Sequence, residues 1–317
     1  ELDKESALRN GSNRFNAVSQ DDFAKIPGSP IAYWVSHNTI RTFGLTKISA
    51  VAETRLGMAT ADNGKFLRLW HEVDFHKLGL KVSSRSEALN STKKWFQYQK
   101  GGEFRKWYGN LEYVVNWEAD GQEIQSFSDP ATGRIRSHNY NLDFIFKEGV
   151  TWNALSSSST SARISRYSLF DNAGSSLFAN SSEDNFALLS LMNSFVVGDL
   201  IKIISPTLNY QPGDIAKLPV AYSELQRDLI AKNAKIAIEI SKLDWDIFET
   251  SSGFSQYPLA IKKSHETLIS ESWSIHSNNL NQRTNELRAI EIENNQILID
   301  AYGLQQELSS EVPESQI

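Results

Sequence analysis

The chain has 317 residues, a formal net charge of −6, 40% hydrophobic and 22% charged residues, and no cysteine. That length fits two domains, and the composition is that of an ordinary globular protein. The missing thiols exclude a disulfide framework and Cys-based zinc or iron–sulfur sites, and they fit a reducing, cytoplasmic setting. No apolar run reaches the roughly 18 residues of a membrane span, so no membrane partner is expected.

The sequence opens Glu1-Leu2-Asp3-Lys4, without an initiator Met or a signal-peptide pattern, and reads as a piece of a longer chain. Pro27-Gly28 marks a turn. Ser29-Pro30 then resembles an N-cap followed by Pro at the first helical position. The spacing predicts a helix over 31–41 with Ile31, Trp34, Val35 and Ile40 inward. Asp62-Asn63-Gly64 is a turn before a strand through Phe66, Leu67, Leu69 and Trp70, with Lys65 and Arg68 facing out. Two readings of Thr60, Asp62 and Asn63 stand: a polar loop offered to a ligand, or a solvated hairpin turn. Gly57 to Lys65 fails as a phosphate loop, because the glycines are too far apart and Phe66 replaces the Ser or Thr. His71 and His76 are five residues apart, not four, so a surface strand is preferred there over a metal site.

From Lys81 to Asn110 there are seven Lys or Arg against two acids, a net of +5. Lys93, Lys94, Lys100, Arg105 and Lys106 alternate there with Trp95, Phe96, Tyr98, Phe104, Trp107 and Tyr108 around Gly101-Gly102. Cations neutralise phosphates, and rings stack on bases or pack in a core. Tyr113 to Trp117 alternates like a half-buried strand. Asp120-Gly121 and Asp129-Pro130-Ala131-Thr132-Gly133 are turns, Arg134 and Arg136 follow, and Leu142, Phe144 and Phe146 recur at period two. Gly149 to Asp171 is strand-like around a hydroxyl run that includes Ser157 and Ser158. With Arg163 and Arg166 beside it, that run is either a phosphate and base contact or a plain loop.

Phe186 to Ile204 reads as one buried helix, and Leu218-Pro219-Val220 as a closing strand. Beyond Ser223, Leu225, Leu229, Ile236, Ile240, Leu243 and Ile247 fall on one helical stripe, read as the inward face. Leu280, Leu287, Ile290, Ile297 and Ala301 recur at heptad-like spacing, with Gly303 as a cap. Residues 221–317 carry 8 basic and 15 acidic residues, a net of −7, which leaves 1–220 at +1 (24 basic, 23 acidic). The acidity belongs to the helical end and does not argue against an anion-binding surface earlier. No catalytic or metal constellation emerges. The fold class expected is α+β: a mixed or antiparallel-sheet domain over 21–220, after a lead-in over 1–20, followed by a helical hairpin or coiled-coil-like segment over 221–317.

Seven blocks together resemble one family: Phe23–Ser36, Thr60–Arg68, Lys94–Asn116, Phe146–Ser158, Ala173–Phe178, Pro206–Pro219 and Asn294–Glu307. They are similar to the PglX adenine-specific DNA methyltransferases of bacterial BREX phage-defence systems, in the part that follows the catalytic domain. The family reads Thr-Gly-Asp-Asn where this chain has Thr60-Ala61-Asp62-Asn63, which puts the geometry of that loop in question. The resemblance implies a restriction-modification-like target-recognition region whose partner is double-stranded DNA. Other BREX components are the alternative partners, for a protein-interaction module. S-adenosylmethionine would serve the full-length protein and no cofactor this fragment. Its Gly-rich loop and the Asn/Asp-Pro-Pro-Tyr/Phe motif are absent from the sequence. Under this reading Lys65, Arg68, Lys93, Lys94, Lys100, Arg105 and Lys106 hold phosphates. Thr60, Asp62, Asn63, Arg134, Arg136, Ser157 and Ser158 face base edges or grooves.

Overall fold

The alternating stretches pair into two sheets. The computed structural model describes residues 19–154, 160–207, 209–260 and 268–317. The strands are β1 (Ala52–Arg55), β2 (Leu67–Leu69), β3 (Leu78–Gly79), β4 (Trp95–Gln99), β5 (Tyr113–Asn116), β6 (Gly149–Trp152), β7 (Ala162–Ser165), β8 (Leu169–Phe170) and β9 (Ser176–Ala179). One sheet runs β1-β9-β6-β7, antiparallel throughout. The other runs β2-β5-β4-β3, with β3 parallel to β4 and β8 continuing β4 in parallel. Four longer helices follow: α1 (Ser182–Met192), α2 (Phe195–Ile204), α3 (Glu224–Trp245) and α4 (Ile269–Tyr302). The α+β class with mixed and antiparallel sheets and a long C-terminal helix is as the sequence implied.

Each sheet has its own apolar core. Around the β2-β5-β4 sheet, Phe66, Phe96, Tyr98, Val115, Trp117 and Phe146 close on one another. The larger core packs Trp107, Val150, Trp152 and Ile164 against α1, α2, α3 and the C-terminal end of α4 through Leu298, Ile299 and Tyr302. Residues before and after position 220 therefore share one core, because Ala231, Ala234 and Ala237 present a face of α3 flat enough to lie close against the rest.

Several local expectations are corrected. Ser29 takes a positive φ of 48° and caps nothing. The helix begins later, at His37–Thr42, where the Ser36 hydroxyl accepts the Thr39 amide at 3.1 Å. Ile31 and Trp34 are consequently exposed, at 74% and 64%. Trp70–Glu72 and Phe75–Lys77 are single 3-10 turns instead of a strand. Leu142–Phe144 is also a 3-10 turn. Asp120 and Gly121 fall inside Glu118–Gln125, where three left-handed residues interrupt the helix. Leu218–Val220 forms an isolated antiparallel bridge, Pro219 opposite Lys47, in place of a strand. The apolar run 186–204 is two helices bent by 74°. Ser194 caps the second, and Asn193 exchanges bonds with the Ala162 backbone at 2.8 and 3.0 Å. Among the described residues no single helix is long and apolar enough to cross a membrane.

Candidate nucleic-acid interface

Asp62 caps the short helix Asn63–Phe66 by accepting the Lys65 amide at 3.0 Å. Ala61 keeps the left-handed backbone that the family's Gly would favour, at φ 62°. A residue with a Cβ holds that backbone at a conformational cost of about 1–2 kcal/mol. Thr60 is 3% exposed and donates to Asn63 Oδ1 at 2.6 Å, so it braces the loop from beneath while Asn63 stands out.

Lys65 reaches Glu123 at 3.0 Å and lies 4.9 Å over the Phe127 ring. Arg136 lies over the same ring at 5.2 Å. The Lys65 bond, chiefly, holds the Glu123 carboxyl below the usual range. Lys94 pairs with Glu118 at 3.1 Å, and Lys94 and Arg68 approach the Trp95 ring at 6.0 and 5.6 Å. Arg68 also donates to the Gly64 carbonyl at 2.6 Å, and Lys93 to the His76 carbonyl at 2.8 Å. Lys100 pairs with Asp171 at 3.3 Å; the buried Tyr98 hydroxyl donates to the same carboxylate at 2.8 Å. Burial pushes that phenol well above its usual range. Lys100, Thr60, Asn63 and Asn172 line a shallow cleft of about 290 Å³. These ion pairs are mostly partly exposed, where such pairs contribute little and can exchange for phosphate.

The remaining contacts on this face come from 127–140. Arg136 N donates to Phe127 O, and Asp129 N to Arg134 O, both at 2.8 Å, with Ser128 opposite Ile135. The chain stays extended, and Ala59 and His138 exchange backbone bonds at 2.8 and 2.9 Å. Arg134, Ile135, Arg136, His138 and Tyr140 are exposed there, with Ser137 buried and Asn139 half-buried. The His138 and Tyr140 rings stack at 5.5 Å and 4°. These two residues were missed from sequence, although the period-two spacing from Arg134 was the signal that marks them.

Two predicted site residues lie elsewhere. Arg105 is committed to α3: it pairs with Asp244 at 2.7 Å and stacks 4.9 Å over Trp245. Lys106 pairs with Glu291 of α4, with side-chain exposures of 8% and 4%. The Trp107 indole donates to the same carboxylate at 2.7 Å. Burial pushes the Lys106 ammonium below the usual lysine range. Their sequence neighbours suggested surface cations; the helical segment instead takes both. Arg163, beside the hydroxyl run read as either a phosphate and base contact or a plain loop, is fully buried. It donates to Arg105 O at 3.0 Å and Asn153 Oδ1 at 2.8 Å, and burial pushes its guanidinium down to about 10. Arg166 pairs with Glu148 at 2.5 Å. Ser157 and Ser158 lie outside the described residues. The aromatic–basic block thus divides: Trp107 is core, Trp95 and Tyr108 are half-buried, and the cations split between two faces. No group of three or more His, Asp or Glu suits a metal among the described residues.

No family model matches the chain. The adenine-specific methyltransferase PglX of Lacticaseibacillus casei (strain Zhang) is 40% identical over 300 residues, 93% of this chain and 25% of its own length. The adenine-specific methyltransferase BrxX of Escherichia coli O9:H4 (strain HS) is 36% identical over 306 residues, 95% of this chain and 23% of its own. The resemblance carried by the seven blocks therefore holds, and the chain spans about a quarter of the length of these relatives. A solved Type IIL restriction-modification enzyme, MmeI in complex with DNA, aligns with 84% of this chain and 34% of its own at 13% identity and a TM-score of 0.46. That likeness is too distant to bear on function.

Proposed function

We propose that this chain is the DNA sequence-recognition region of an adenine-specific methyltransferase of the BREX type. The observation that carries the reading is the meeting of Lys65 and Arg136 over the Phe127 ring, with Asn63 exposed beside Lys65, Lys94 just before β4, and Arg134, His138 and Tyr140 exposed along the segment of Arg136. It offers exchangeable cations for phosphates and free polar and aromatic groups for bases. Methylating an adenine requires the base to leave the stack, and a region that holds the flanking duplex fixes which adenine leaves.

The methyl donor, S-adenosylmethionine, belongs to the longer protein in this reading. The paired glycines of this chain offer it no cradle. A Cβ at Gly101 would meet Ala173 O at 3.0 Å, and one at Gly102 would meet Asn110 Nδ2 at 2.7 Å, so protein already fills that space.

The test is duplex binding by the full-length protein over a salt series, followed by fluorescence anisotropy. Lys65→Ala and Lys94→Ala should weaken binding to every sequence and reduce the salt slope by about 1 for each phosphate no longer neutralised. Unchanged affinity and slope in both variants would overturn the proposal. One observation favours a second reading, a docking module for other defence components. Leu225 and Leu243 on α3 and Ile269, Trp273 and Ile275 on α4 leave apolar surface in water. Trp273→Ala would then abolish association with a purified BREX component and leave duplex binding unchanged.

A further inference from the structure

The hairpin Phe127–Arg136 differs from the rest of this face in one respect. Lys65, Lys94 and Lys100 each hold a carboxylate, and Arg136 rests on Phe127. Arg134 is exposed, beside the turn, and its guanidinium has no partner among the described residues. The turn that carries it is nonetheless fixed. Asp129 Oδ1 accepts the Ala131 amide at 3.0 Å, the Thr132 amide at 2.9 Å and the Thr132 hydroxyl at 3.0 Å. Gly133 supplies the positive φ of 68° that brings the chain back, and its amide donates to Asp129 O at 2.8 Å. The base of the hairpin is anchored as firmly. Phe127 packs edge-on against Phe66 at 5.2 Å, the Ser137 hydroxyl donates to Ile124 O at 2.5 Å, and His138 pairs with Ala59. On a turn already fixed, binding has only the arginine side chain left to order, at about 0.5–1.5 kcal/mol, and no backbone.

We infer that the hairpin Phe127–Arg136 is a two-stranded ribbon that enters the major groove of duplex DNA, with Arg134 reading a guanine from its tip. This rests on the DNA-recognition reading and deepens it. A major groove about 12 Å wide admits a two-stranded ribbon, and Arg pairs bidentately with guanine O6 and N7. The spacing agrees. Outward side chains on an extended strand recur about every 6.7 Å, and the rise per base pair is about 3.4 Å. Arg134, Arg136, His138 and Tyr140 therefore fall about two base pairs apart, over roughly 20 Å of strand. Arg136, on its ring at the foot of the ribbon, sits where the backbone passes and contacts phosphate. The stacked His138–Tyr140 pair continues the track beyond the ribbon, along the same strand.

The experiment is selection of a duplex pool, randomised over a central segment, on the full-length protein and on its variants. Wild type should enrich a motif containing a G·C pair. Arg134→Ala should lose the preference at that one position by about 10- to 100-fold, the range of a bidentate arginine–guanine pair, and keep the rest of the motif. Arg134→Lys should retain overall recovery but weaken the same position. Lys65→Ala should lower recovery and leave the enriched sequence unchanged. The same motif from wild type and Arg134→Ala would overturn the ribbon while leaving DNA recognition standing. No enriched motif from wild type would overturn the recognition reading itself, and the ribbon with it.

Discussion

The contact between the sheets and the helical segment turns on one buried cluster, and it can be dismantled one group at a time. Lys106 and Glu291 are 185 residues apart and pair with side-chain exposures of 8% and 4%. The Trp107 indole adds a hydrogen bond of 2.7 Å to the same carboxylate. Lys106→Met keeps the length of the side chain and removes its charge. Glu291 is then a buried carboxylate with one neutral donor, and breaking a buried pair from one side costs about 3–5 kcal/mol. Glu291→Gln keeps an acceptor for Trp107 and leaves the Lys106 ammonium without a counter-charge. That ammonium, already disfavoured by burial, can give up its proton, so this variant should lose less, about 1–3 kcal/mol. Lys106→Met with Glu291→Gln removes both charges together and should be less damaging than the sum of the singles, with a coupling of about 2–3 kcal/mol.

Urea denaturation of the four proteins, followed by near-UV circular dichroism, reads these differences as midpoint shifts at constant slope. Trp107 is fully packed beside the pair, so the near-UV signal reports the contact itself. Two results would refute the argument. Lys106→Met within about 1 kcal/mol of wild type would mean the pair is solvated, as an exposed one would be. Additive singles would mean that Lys106 and Glu291 do not act on each other.

Two further outcomes follow from local geometry. The Asp129 carboxyl is held below the usual aspartate range mainly by the Thr132 amide, then by the Thr132 hydroxyl and the Ala131 amide. A depressed folded pKa adds order that is complete above the ordinary value of about 3.9 and disappears as pH falls through the folded value. The Thr132 amide should therefore lose its NMR shift below that pH, and a midpoint at or above about 3.9 would contradict the assignment. At Gly57, a Cβ would lie 2.2 Å from Phe170 O and 2.4 Å from Asp171 O. Gly57→Ala should lower stability by about 1–3 kcal/mol and disturb the Met58–Thr60 track that positions Asn63. Thermal melts that match wild type would show the backbone there can part.

The sequence made the sheet-forming stretches legible, and the reasons it misplaced others are physical. Of the stripe Leu225, Leu229, Ile236, Ile240, Leu243 and Ile247, read as the inward face because large apolar side chains usually mark the core, Ile240 is buried and Ile247 half-buried, but Leu225, Leu229, Ile236 and Leu243 are not. Each of those four is at least 36% exposed. The buried face joins Ile240 to Ile230 and Ile238 and to Ala231, Ala234 and Ala237, because small side chains let α3 approach closely and keep the packing dense. A pattern scored by size alone selects the wrong side of such a helix. The break at Asn193-Ser194 had a local signal, a capping residue inside an apolar run. The bonds from Asn193 to Ala162 that make the break useful are 31 residues distant and had none.

The same limit governs the cations. Lys65 and Lys106 carry identical chemistry, and each sits beside an aromatic residue, Phe66 and Trp107. One ends in water beside Glu123, and the other under α4 beside Glu291. What separates them is the partner acid: Glu123 stands exposed on the short helix Glu118–Gln125, and Glu291 lies on the buried stripe of α4. Neither placement is written near the lysine. Of these two lysines, the one left available to a ligand is therefore the one whose acid is itself exposed.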